Sequence, residues 1–220
     1  MKKMITKASM AVFFFAVSTV LGACAPRQQK DCGFVQNIYG QRISWKKNLP
    51  IPLILHKSVP ESLRPAVYRA VATWETTAGR KLFEVFEDSS QIEDTPSRDK
   101  KNAIYFLSEW ESDRTSEQGR TSVYWAGDQI QEADIRINAH DFSYYDQSPQ
   151  QLVGSYGVSS SGISLSEGYS FEALILHELG HFLGLKHREG ETVMATHLAA
   201  YSDRVALAAV DQESLSCEYK

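Results

Sequence analysis

Within eleven residues, His177-Glu178-Leu179-Gly180-His181-Phe182-Leu183-Gly184-Leu185-Lys186-His187, the chain places half of its six histidines. This spacing constrains the fold more than any other feature. Residues four apart share one face of an α-helix, one turn above the other, so His177 and His181 meet at a point only if the segment is helical. Gly184 then ends the helix, because a residue without Cβ turns readily into the left-handed region, and the turn brings His187 round as a third ligand. Imidazole nitrogens suit Zn²⁺, and three protein ligands leave a fourth position for water. Glu178, beside the first ligand, is placed to act as general base on that water. The added glycine and third histidine lower chance matches to the shorter His-Glu-x-x-His pattern by roughly a thousandfold. Surface or core histidines on an ordinary amphipathic helix are the competing reading, and that reading must account for all five residues together.

The rest of the chain supplies a frame for that helix. Ile51–Leu55, bounded by prolines, reads as a strand. In Glu61–Ala78 the apolar residues Leu63, Val67, Ala70, Val71 and Trp74 have helical spacing, with Pro65 in the first turn and Gly79 as the stop. Leu82–Glu87, Asn102–Leu107, Thr121–Trp125 and Ala133–Asn138 read as strands. Asp88–Lys101 and Ser108–Arg120 are polar loops, and Ala139–Gly168 carries no assigned element. Helices are expected over Ser170–Leu183 and Ala206–Tyr219. Strand, helix, strands, helix, helix is the order of one α+β domain.

The N-terminus reads as an address. Lys2, Lys3 and Lys7 precede Ala8–Leu21, an apolar run long enough for a signal peptide and short for a bilayer span. Leu21-Gly22-Ala23-Cys24 resembles the lipobox of bacterial lipoproteins, which implies cleavage before Cys24 and acylation of that cysteine; a plain secretory signal with an incidental cysteine is the alternative. Ala25 stands where an inner-membrane retention signal would put Asp, so the outer membrane is favoured if the cell is Gram-negative. Residues 1–23 are thus read as signal peptide, 24–42 as a lipidated tether and 43–220 as the folded domain. Of three cysteines, Cys32 and Cys217 remain; export favours a disulfide between them over two free thiols. The chain has 23 basic and 27 acidic residues, three of the basic ones in the leader, and no Lys/Arg cluster, which excludes nucleic acid as an expected partner.

The eleven-residue motif resembles the long zinc signature of the metzincin metallopeptidases, in their matrixin branch. Met194, in Thr192-Val193-Met194-Ala195, is similar to the family's Met-turn, in which a methionine packs under the zinc ligands. The resemblance covers residues 43–220 and implies a zincin-like α+β fold: a mixed twisted sheet, the active-site helix and a C-terminal helix. By the family's order Thr121–Ala126 is the sheet's edge strand above the metal. Val123, Tyr124, Trp125 and Ala126 would then pair with an extended substrate through their main chain. Ser108–Arg120 lacks the histidines of the family's metal-rich loop, so one catalytic zinc is expected, with no structural zinc and calcium doubtful. Arg188 departs from the usual residue after the third ligand, and His197 is read as solvent-facing beside the pocket. His56 and His140 are read as structural.

Together these readings imply a monomeric, lipid-anchored zinc endopeptidase outside the cytoplasm. It would hydrolyse peptide bonds of a peptide or protein substrate with Glu178 as base, and would be held to the membrane through Cys24. Two alternatives are a non-catalytic surface module that binds zinc, and a zinc hydrolase acting on a non-peptide amide of the cell wall.

Overall fold

Apolar residues at alternate positions set the first strand. Ile51, Leu53 and Leu55 of β1 (Ile51–Leu55) are fully buried, while Pro52 faces out. In this computed structural model, residues 27–220 are described except 47, 88, 91, 149, 150, 152 and 155–166. The leader, Cys24 and the Ser159–Gly162 stretch lie outside the described residues.

β1 lies between β2 (Phe83–Phe86) and β3 (Ala103–Leu107); β5 (Gln129–Asn138) and β4 (Gly119–Ala126) follow, giving the order β2-β1-β3-β5-β4. Every pair is parallel except β4–β5, an antiparallel hairpin turned at Gly127, where φ is 64°. Among the described residues β4 is therefore an edge strand with one side unpaired, and its register shifts between Tyr124 and Trp125.

A 3-10 turn (Glu61–Leu63) leads into α1 (Arg64–Ala78), with Pro65 in the first turn and Gly79 closing the helix at φ 67°. The buried face of α1 packs on α2 (Phe171–Phe182), and the Trp74 indole donates to the Leu176 carbonyl at 3.0 Å. α3 (Ala209–Ser216) is shorter than the sequence suggests. The Ala139–Gly168 stretch contains two short strands, β6 (Ser143–Tyr145) and β7 (Val153–Gly154). With β8 (Gly168–Ser170) they form a second, three-stranded sheet that the sequence did not reveal. Its Tyr144 meets Phe106 and Phe171 edge-on, so this sheet is joined to the main core.

The boundary expected at residue 43 moves. Phe34 is fully buried beside Leu185 and Tyr219, the Trp45 indole donates to the Phe182 carbonyl at 2.8 Å, and Cys32 is disulfide-bonded to Cys217. From Asp31 onward the segment read as tether is part of the domain. The reason is Phe34, the one large apolar side chain fully buried among the described residues of this run, which loses its exposed surface against the end of α2 and Tyr219.

Candidate metal centre

Ser170 caps α2 by accepting the Ala173 N–H at 3.3 Å. The helix is buried along nearly its whole length, with His177 and His181 one turn apart. Gly184 ends this path for two reasons. Its φ is 104°, and a Cβ there would lie 2.2 Å from the Ile43 carbonyl oxygen. The chain then turns back and carries His187 to the same point.

The three Nε2 atoms form a triangle: His177–His181 3.1 Å, His181–His187 3.0 Å and His177–His187 3.3 Å. Two of the rings are oriented from behind. His177 Nδ1 donates to the Val193 carbonyl at 2.7 Å, and His181 Nδ1 donates to the Leu185 carbonyl at 2.8 Å. These bonds fix Nδ1 as the protonated nitrogen of His177 and His181, so their two Nε2 lone pairs face one another with no proton between them, an arrangement that suits a cation. A tetrahedral zinc with Zn–N bonds near 2.05 Å has ligand atoms about 3.3 Å apart, close to the triangle seen. Burial, followed by the neighbouring His181, pushes the His177 pKa down to about 3, and burial lowers His187 as well. Both therefore stay neutral, as metal ligands must. Among the described residues this is the one group of three such side chains whose ligand atoms converge.

Glu178 is almost fully buried. Thr121 Oγ1, from β4, donates to Glu178 Oε2 at 2.6 Å. Burial raises the Glu178 pKa, while the His181 charge and the Thr121 hydrogen bond pull the other way. Gly119 gives the carboxylate its room, since a Cβ there would sit 2.9 Å from Glu178 Oε1. Neither Thr121 nor Gly119 stood out in the sequence; the available signal was a glycine at the start of a strand, which marks close approach.

Met194 lies directly under the helix. A Cβ on Gly180 would be 2.2 Å from the Met194 sulfur, so the glycine between the two histidines is what admits the thioether. Asp211 of α3, which the sequence did not single out, holds this turn: its carboxylate accepts from Thr192 Oγ1, from Val193 N at 3.1 Å and from Ala208 N at 3.0 Å. Arg188 points away from the turn. Its guanidinium donates to Ser214 Oγ at 2.8 Å, and its main-chain N–H bonds the Met194 carbonyl at 3.0 Å.

A cleft of about 990 Å³ runs past the triangle. Thr121, Val123 and Trp125 of β4 line one wall, and exposed His197 stands on another. The alternation of the strand sends Tyr124 to the opposite face, where Arg98 lies 5.0 Å from its ring centre, so that side chain does not face the cleft. Ala126 is exposed at the strand's end. Cys32 and Cys217 are joined away from the cleft wall, and His56 and His140 bond to Ser58 and Asp141. The 108–118 loop is folded by ion pairs: Glu111 with Arg136 at 2.9 Å, and Glu117 with Arg114 and Arg120.

No curated protein matches the chain. The sequence model of the matrixin family (Peptidase_M10) matches residues 55–220, a span that includes β2 to β5, all three histidines, Glu178 and Met194. With the mixed sheet, the histidine triangle and that match in agreement, the chain belongs to the matrixin family of zinc-dependent metallopeptidases.

Proposed function

We propose that the protein is an extracytoplasmic endopeptidase, anchored through a lipid on Cys24 after removal of residues 1–23, that cuts peptide bonds in extended substrates with Glu178 as its proton carrier. The observation that carries this reading is the juxtaposition in one open cleft of three converging imidazoles, a buried carboxylate and an unpaired strand edge. A site that used zinc only for structure would close the fourth position with another protein ligand, and no fourth side chain converges here among the described residues.

His177, His181 and His187 would hold the ion, and when bound it supplies a Lewis acid that polarises the scissile carbonyl and acidifies a water. The chain's own residues do the rest. β4 offers its free N–H and C=O groups to a substrate strand, which fixes the peptide plane beside the imidazoles. Thr121 occupies Oε2 of Glu178, and Oε1 accepts no hydrogen bond from the described residues. Oε1 is thus the oxygen that takes a proton from the attacking water and passes it to the departing amide nitrogen. A raised pKa in the buried carboxyl suits it to carry that proton between the two.

Exposing the zinc-loaded protein to a mixed peptide library, with cell-wall fragments in parallel, tests the substrate class. Cuts in peptides with intact cell-wall amides are expected. Release of cell-wall amides with all peptides intact would transfer the same chemistry to the non-peptide reading.

A further inference from the structure

Val35, Ile38, Tyr39 and Trp125 make up four of the seven large hydrophobic side chains exposed among the described residues, at 39%, 91%, 57% and 48%. They lie together. Val35, Ile38 and Tyr39 belong to a hairpin between Val35 and Gln41, and Asn37 Nδ2 in that hairpin donates to the Gly127 carbonyl at 3.1 Å, two residues beyond Trp125. Val35 and Trp125 both line the mouth of the cleft. The hairpin tip is rigid by construction. Asn37 Oδ1 accepts from Tyr39 N and Gln41 N, both at 3.0 Å, and Gly40 has φ 70°. Ile38 is therefore held out in water by a well-bonded turn, which is unusual for an aliphatic side chain.

The path of the chain says what lies against this patch. Gln29 is clamped across the same hairpin: its N–H bonds the Gly40 carbonyl at 2.9 Å, and its own carbonyl and Oε1 accept from Gln36 Nε2 and Arg42 N, each at 2.8 Å. Gln28 packs on Gly40. From Gln28 back to Cys24 there are four residues, which reach at most about 14 Å when fully extended. A lipid on Cys24 thus brings the bilayer to within that distance of the hairpin tip. Exposed Arg27 and Lys30 flank the patch. The neighbouring carboxylates are compensated: Asp31 by Lys186 at 2.7 Å, Asp128 by Lys46 at 3.3 Å and Glu218 by Arg42 at 2.5 Å. An aliphatic tip with Tyr and Trp beside it and basic residues at its margin matches the chemistry of a membrane interface with phosphate headgroups.

We propose that the Val35–Gln41 hairpin and the adjoining end of β4 rest on the lipid bilayer, so that the cleft opens at the membrane surface. The proposal depends on the lipid anchoring put forward above. It limits substrates to chains presented close to the bilayer.

The test uses the full-length chain as isolated from membranes, in phosphatidylethanolamine–phosphatidylglycerol vesicles carrying lipids brominated high in the acyl chain. Intact-mass measurement reports acylation, and the difference in tryptophan quenching between the wild type and Trp125→Phe reports residue 125. The expected result is an acylated chain with Trp125 quenched, and a roughly twofold or greater loss of that quenching in Ile38→Asp/Tyr39→Asp. Both sites of the double variant are exposed, so the fold is retained. An acylated, vesicle-bound chain with Trp125 unquenched would overturn the docking and leave the patch to a protein partner. Quenching unchanged by the double variant would also overturn it. A chain without acyl groups would remove the anchoring, and the docking with it, which separates the two failures.

Discussion

Two glycines shape the site by what they lack. Gly119 leaves space for the Glu178 carboxylate, and Gly180 leaves space for the Met194 sulfur. Gly119→Ala would bring a methyl to 2.9 Å from Oε1 and turn the carboxylate out of line. We expect kcat to fall roughly 10- to 100-fold with zinc content unchanged, read by steady-state kinetics beside metal analysis. Gly180→Ala would drive a methyl into the thioether at 2.2 Å, and the methionine or the helix must yield. A loss of about 1–3 kcal/mol in chemical denaturation follows from overpacking, and an unchanged midpoint would show that Met194 can leave freely. The three histidines, Glu178 and Gly184 were legible from spacing alone because helix geometry translates sequence offset into position. Gly119, Thr121 and Asp211 were not, since each reaches the site from another element and no local offset relates them to the helix.

At the level of elements, legibility followed the purity of the pattern. α2 has a cap, continuous apolar burial and a glycine stop, and its observed ends fall within a residue of those expected. β5 begins at Gln129, four residues before the expected start, because Gln129, Gln131 and the buried Glu132 leave Ile130 as the one apolar residue of that stretch. The strands of the small sheet are two or three residues long, too short for any period to show. The buried carboxylates of β5 have a measurable consequence. Burial first, then the nearby Glu132 and Asp99 charges, raise the Asp134 pKa to about 7, although the Ala103 N–H bond to Oδ1 opposes the shift. A carboxyl raised in the folded state favours folding at low pH and loses that contribution as pH rises from about 4 through about 7. Asp134→Asn keeps an acceptor for Ala103 and removes the charge. It should match the wild type near pH 4 and exceed it at pH 8 by on the order of 2 kcal/mol, as measured by urea denaturation at the two pH values. Equal stability at pH 8 would contradict the assignment.

For the molecule as a whole, the N-terminal segment is structural and not merely a connection. Cys32 and Cys217 link positions 185 residues apart, and Phe34, Ile43 and Trp45 bury the end of α2 from which His187 departs. Closing so long a loop contributes about 5 kcal/mol in the chain-entropy model. The Cys32→Ala/Cys217→Ala chain should therefore unfold at lower denaturant by a similar or smaller amount, as should the wild type under reductant. Identical curves with and without reductant would show that the bond does not restrain the chain. Charge pattern and cysteine count made the pairing readable, but the packing of residues 31–42 was hidden because one phenylalanine carries it. All of these arrangements converge on the three histidines and Glu178, the residues proposed above to hold zinc and to carry the proton. The direct test is to measure zinc content and peptide cleavage together in the wild type and in Glu178→Ala. One zinc per chain in both proteins, with cleavage by the wild type alone, is the predicted result; undiminished cleavage by Glu178→Ala would contradict the account.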